Sequence, residues 1–391
     1  MPMKVPSEKS LSTANIRLVL CLFLSSLGNA LTIPFFAVYL QREFGTRSAS
    51  IALALPALGA LSAYPFVPRI KSRLPVQRQV TLGAMLAAVS FVVMAIFYQD
   101  RVVFGASLYG YGIVNGVVQA SLNPLLKGVV DRGQLTKIYS LRYLGMYVAI
   151  LIGGFLGSWA STKRPGIFVW LLVFNAVTFV VLGLEASTFS LKSDPRSLAA
   201  SSSILPKNSK EARLLLYQLF AVMGGFGLGE TTLPMWVSDQ GGAHVQEFLT
   251  TWILVGTASA IILQFFIGRI LAQSSHISSL KYVSYTWLAG GVVGLTFPVL
   301  SKAASSLVIV ALISVLLSFG STIYDAHYFP LLMESTEGRE LELSSAASLT
   351  WSSGLFIAPL VGGLMLSLSG EAIFAVLVCA SLLMLAALPS D

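Results

Sequence analysis

Two carboxylates stand inside apolar runs of this 391-residue chain, where an ionisable group needs a physical reason. At mid-membrane such a group costs about 2.5–3.5 kcal/mol on insertion scales. Glu230 is the deeper of the two, about 25 Å along a helix that starts near residue 213 at 1.5 Å per residue, among Gly227, Gly229, Thr231 and Thr232. A carboxyl at that depth can carry a proton across. The plainer reading is structural, a carboxyl hydrogen-bonded to another helix. Asp325 is the second proton-coupling candidate. Ser314, Ser318, Ser321, Asp325 and Tyr328 recur at helical steps, which puts them on one face. A polar stripe on a membrane helix faces water or a partner helix. The plainer reading of Asp325 is an interfacial charge, solvated or paired with Arg142.

Weaker polar faces accompany these acids. Tyr111, Asn115 and Gln119 follow one another at four-residue steps, and Ser25, Asn29 and Thr32 mark the first apolar run. Amides also bridge membrane helices, at roughly 0.6–2 kcal/mol, so each face alone is ambiguous. Taken together, Asn29, Thr32, Tyr111, Asn115, Gln119, Ser321 and Tyr328 are candidates for binding a small solute. Arg142 reads as a snorkelling interfacial residue. Trp159, Trp170, Trp236 and Trp252 lie near span ends and read mostly as interface anchors.

The elements that must position these groups follow from composition. The chain is 55% hydrophobic and 11% charged, with a mean hydropathy of +0.79. A water-soluble domain carries about twice that charge, which excludes a soluble globule. Twelve apolar segments can be marked, at 16–40, 49–68, 79–98, 102–125, 139–160, 166–186, 213–237, 248–272, 281–299, 305–330, 344–368 and 371–388. Each is near the ~20 residues that span a bilayer as a helix. The expected fold is therefore all-α, with twelve transmembrane helices. The net charge of +8 sits in short loops and reads as topology, with no nucleic-acid partner implied. Lysine and arginine divide 19 against 6 between alternate loops, which assigns both termini to the cytoplasm. Cys21 and Cys379 read as packing residues, the three histidines are scattered, and no metal spacing, phosphate loop or cofactor motif is present.

The chain also repeats itself. Gly145, Ala149, Gly153 and Gly154 match Gly354, Ala358, Gly362 and Gly363. Pro124-Leu125-Leu126 matches Pro330-Leu331-Leu332, and Leu27-Gly28-Asn29 ahead of Pro34 matches Leu228-Gly229-Glu230 ahead of Pro234. Three matches in one order predict two homologous six-helix halves, 1–186 and 213–391, joined by a polar cytoplasmic linker at 187–212. Membrane-embedded repeats with a seam between them suggest a machine that rocks about that seam.

This pattern resembles the major facilitator superfamily over nearly the whole chain. Gly354-Leu355-Phe356-Ile357-Ala358-Pro359-Leu360-Val361-Gly362-Gly363 is similar to a glycine-proline pattern of its drug:proton antiporters, here in the eleventh helix, with Ile150 at the corresponding place in the fifth. Pro234-Met235-Trp236-Val237-Ser238, and the Tyr39 to Gly45 stretch, resemble its sugar-efflux branch. Two signatures depart from the superfamily's pattern. Pro68 stands where its loop 2–3 motif has an aspartate, and Gly112 stands near the place of the antiporters' helix-4 arginine. The resemblance implies that helices 1, 4, 7 and 10 line a central cavity. It also implies export of a drug, sugar or secreted metabolite by alternating access in exchange for protons, by a monomer in the lipid bilayer of the cell inner membrane. Proton-coupled uptake or facilitated diffusion is the near alternative. A membrane enzyme or receptor is the remote one, because the glutamates of 334–342 form no nucleophile-base set.

Overall fold

The computed structural model describes residues 13–64, 66, 73–129, 135–163, 165–189, 206–270, 275–301, 305–334 and 340–389. Among them the chain forms twelve long helices, two short helical turns at Gly242–His244 and Phe297–Leu300, and no strand. Thr13–Ala63 is one helical run broken at Gly45, which separates α1 (13–44) from α2 (46–63). Then follow α3 Val76–Ile96, α4 Arg101–Val129, α5 Leu135–Lys163 and α6 Pro165–Thr188. α7 (209–241) is composite, and after it come α8 Val245–Ile270, α9 His276–Leu295, α10 Ser306–Glu334, α11 Glu340–Leu368 and α12 Ala372–Ala387. Four of these helices are 29 residues long. At 1.5 Å per residue they exceed a ~30 Å hydrocarbon layer, so they tilt or project.

Seven helical runs are long and apolar enough to cross a membrane, and two of them, Asn15–Ala63 and Ser209–Gln264, hold two helices each. α5 and α12 keep shorter apolar cores, Gly145–Gly157 and Ala372–Ala387. The turn between α1 and α2 passes through Gly45 at φ 79, and the turn between α7 and α8 through Gly242 at φ 48. Both are left-handed conformations that suit glycine, and they fall at corresponding places in the repeat. α7 begins with a reciprocal cap. The Asn208 side chain accepts from the Glu211 amide at 2.7 Å, and the Glu211 carboxylate accepts from the Lys207 amide at 2.8 Å.

α1 packs on α5 and α6, α2 lays Pro56 and Ala60 on Gly112 and Gly116 of α4, and α3 packs on α4 and α6, while α7 packs on α11 and α12 and α10 on α8 and α9. Between the two sets, α5 meets α8 and α2 meets α11. The double glycines sit at both kinds of contact. Gly153 lies against Ala30 of α1, and its counterpart Gly362 lies against Leu228 and Thr232 of α7. Gly154 faces Ile253 of α8, and Gly363 faces Ser50 of α2. Where hydrocarbon surrounds the protein, helix association rests on close van der Waals contact, and small residues permit it. Each set also has its own aromatic core, Phe36, Phe91, Phe104 and Phe168 in one and Tyr217, Phe226, Trp287 and Tyr324 in the other.

Candidate functional site

Glu230 lies at a defect in α7. The segment Val222–Gly227 is π-helical, and after Glu230 the helix breaks at Thr231 (φ −118, ψ −75). The Thr231 amide donates to the carbonyls of Gly227 and Leu228, and its hydroxyl donates to Gly227 at 2.6 Å. Single π turns occur often at functional positions because they re-aim the residues that follow. Here Gly224 packs on Ala380 of α12, Gly225 on Trp287 of α9 and Gly227 on Ala358 of α11. Gly229 and Glu230 occupy the remaining face. A Cβ built on Gly229 meets nothing within 4 Å, and Glu230 keeps an accessible surface although protein surrounds it densely. Its carboxyl has no hydrogen-bond or ion-pair partner among the described residues.

Asp325 also keeps an accessible surface, and it accepts a hydrogen bond at 3.3 Å from the hydroxyl of Tyr147 on α5. That bond crosses from one set of helices to the other, and sequence reading did not pick out Tyr147. The stripe on α10 divides among different neighbours. The Ser314 hydroxyl donates to the Trp252 carbonyl of α8 at 2.5 Å, and Ser321 donates to its own helix at Leu317. Tyr328 is wholly buried and donates to the Leu214 carbonyl and to Gln218 Oε1 of α7.

The first set arranges its polar groups differently. Thr32 is wholly buried, donating to the Gly28 carbonyl and accepting from Asn175 Nδ2 of α6 at 2.8 Å. The same Asn175 amide reaches Asn29 Oδ1 at 3.3 Å, and Thr178 closes the cluster on Asn175 Oδ1. Tyr111 is buried between Phe91 and Phe179. Gln119 is exposed and donates to Asn115 at 3.4 Å. Asn29, Gln119 and Arg142 meet at a pocket of about 50 Å³ between α1, α4, α5 and α6. Arg142 lines this hollow three residues ahead of the apolar core Gly145–Gly157 of α5. A larger hollow of about 400 Å³ on the outer seam of α5 and α8 is walled by Leu151, Ile152, Phe155, Leu156 and Leu254, and offers no polar recognition.

Two further expectations change. Trp236 and Trp252 are buried, Trp236 edge-on to Phe297 and Phe374, so neither is an interface anchor, whereas Trp170 is 72% exposed. His276 and His327 looked scattered, yet α9 and α10 bring their Nδ1 atoms to 2.9 Å. Among the described residues no group of three metal-ligating side chains forms. The arginine missing near residue 112 has a steric basis, since a Cβ on Gly112 would strike the Pro56 backbone of α2. Pro68, the side chains of 334–342, and residues 190–205 of the linker lie outside what the structure describes.

Helices long and apolar enough to cross a membrane, packed in two sets, are the architecture of a membrane transporter. The chain belongs to the Major Facilitator Superfamily, whose family model matches residues 18–341. No curated protein matches the sequence. Among solved structures, a bacterial homologue of the iron transporter ferroportin in an inward-facing state aligns with TM-score 0.78 at 16% identity, covering 98% of this chain and 100% of that one. The nucleoside transporter NupG aligns with TM-score 0.75 at 11% identity, covering 96% and 99%. A human organic anion transporter aligns with TM-score 0.67 at 16% identity, covering 97% and 99%. At these identities the likeness is one of fold.

Proposed function

We propose that this transporter exports a small organic solute, a drug, sugar or secreted metabolite, in exchange for protons. The halves 1–186 and 213–391 rock about their shared seam, joined by the linker 187–212. The protein works as a monomer in the cell inner membrane, with both termini in the cytoplasm. Glu230 is the principal proton carrier and Asp325 the second. The observation that carries this reading is the Glu230 carboxyl: accessible, at a helix break, without a hydrogen-bond or ion-pair partner among the described residues. A carboxyl serving as structural glue would be bonded to a neighbour, as Asn175 is in the other half. The inward-facing state of the bacterial ferroportin homologue is one arm of such a cycle and supports the alternating scheme. One proton entering across 150 mV supplies about 3.5 kcal/mol, enough for a gradient of a few hundredfold.

The test is solute flux in proteoliposomes under an imposed pH gradient, with a panel of metabolites and drugs, comparing the wild type with Glu230→Gln. Movement that follows the gradient and disappears in the variant supports proton exchange. Equal uphill movement in both would sink the role of Glu230, and downhill movement alone would favour a uniporter.

A further inference from the structure

His276 opens α9, and His327 lies toward the end of α10, 51 residues later. Asp325 turns to Tyr147 of α5, and two residues further on, about 200° around the helix, His327 turns to α9. The two Nδ1 atoms are 2.9 Å apart, with the ring centroids at 5.2 Å and the ring planes 60° from one another. At that distance one Nδ1 carries a proton and donates it to the lone pair of the other. Both side chains are half-buried, so the packing of α9 on α10 holds them and an ion can still reach them.

Two imidazole nitrogens aimed at one point suit a transition metal, for which neutral imidazole is the commonest protein ligand. The distance selects among metals. Imidazole nitrogens bind zinc and its neighbours at about 2.0–2.1 Å. Two such bonds at a right angle put the nitrogens about 2.8–3.0 Å apart, whereas a tetrahedral angle needs about 3.3–3.4 Å. The separation of 2.9 Å matches the right angle. Right-angled nitrogen ligands belong to square-planar or tetragonal Cu(II) and Ni(II), and of these Cu(II) binds a given nitrogen set more tightly. Among the described residues no third metal-ligating side chain joins the pair, so water or another small ligand completes the shell.

We infer that His276 and His327 form an open two-imidazole site for a tetragonal first-row metal ion, Cu(II) or Ni(II), that bridges α9 and α10. The ion takes the place of the shared proton. That proton leaves Nδ1 to water while Nε2 of the same ring takes one up, so a neutral pair coordinates through both Nδ1 atoms with no net proton change. The site is independent of the direction and coupling of transport.

The test uses the untagged full-length protein in detergent, titrated with copper(II) chloride or nickel(II) chloride, with magnesium chloride as the control that prefers oxygen ligands. The expected result is saturable binding of Cu(II) and Ni(II) but not of magnesium, with the electron paramagnetic resonance spectrum of bound Cu(II) showing two imidazole nitrogens. His276→Ala and His327→Ala each lower the affinity by about tenfold or more, since even the loss of an outer-shell partner costs that much. His244 is exposed beside Glu247 and supplies the control, because His244→Ala leaves binding unchanged. A wild-type Cu(II) spectrum with one imidazole nitrogen or none overturns the site, and that spectrum is read on the unaltered chain, so it decides even where a histidine variant fails to fold. Binding that survives both His276→Ala and His327→Ala, or that disappears in His244→Ala, also overturns it.

Discussion

α1 and α7 carry similar stretches, Leu27-Gly28-Asn29 and Leu228-Gly229-Glu230, and they treat corresponding residues in opposite ways. In α1, Gly28 lies under Thr178 and Asn175 of α6, and Asn29 is tied to Asn175 beside a buried Thr32. In α7, the matching Gly229 faces open space and Glu230 has no hydrogen-bond or ion-pair partner among the described residues. The path of the backbone differs accordingly. α1 runs without a break to Gly45, whereas α7 carries a π turn and then a break at Thr231. The α1 position satisfies its polar groups and contributes to packing, and the α7 position leaves them open.

The largest test of this contrast is Glu230→Gln. Proton-driven flux in proteoliposomes should fall more than tenfold with Tm unchanged, because no bond within the described residues is lost. A large fall in Tm would make Glu230 as structural as Asn29. Next is the glycine pair. Gly28→Ala drives a methyl into Thr178 and Asn175 and should cost about 1–3 kcal/mol of stability. Gly229→Ala meets open space and should be neutral or stabilising by up to about 1 kcal/mol. Chemical denaturation in detergent measures both, and equal effects would erase the difference between the two positions.

Asn175→Ala should lower stability by about 0.6–1.7 kcal/mol, the range for interhelical hydrogen bonds in membrane proteins, while a proton-driven flux persists. Loss of coupling with stability intact would move the first cluster into the transport machinery. The smallest effect belongs to Tyr147→Phe, which removes one 3.3 Å bond between the two sets. It should cost a few tenths of a kcal/mol in stability and change flux by about twofold to fivefold, in line with a single weak hydrogen bond. A complete loss of flux would promote Tyr147 from support of Asp325 to an essential group.

Much of this was legible beforehand. Twelve helices follow from runs of apolar residues, because a backbone in lipid must satisfy its own hydrogen bonds and has few ways to do so. The double glycines at 153–154 and 362–363 were visible as a repeat, although sequence gave no hint that one glycine of each pair meets its own set and the other the opposite set. The α10 stripe was visible as periodicity, yet Ser314 turns to α8, Asp325 to Tyr147 and Tyr328 to α7. A face of one helix does not record which neighbour covers which part of it. The π turn at Val222–Gly227 was not read from the sequence, and its glycines pack on Trp287, Ala358 and Ala380, which lie far away in the chain.

The sequence by itself determined the class of fold and its apolar helices, because these depend on local hydrophobicity and on period. Tertiary structure alone decided which polar residues are satisfied and which are left open. Arg142 reached a pocket shared with Asn29 and Gln119, His276 found His327, Asn29 found Asn175, and Glu230 found no partner among the described residues. Partner choice is set by how helices distant in sequence approach one another, and no window along the chain contains that distance.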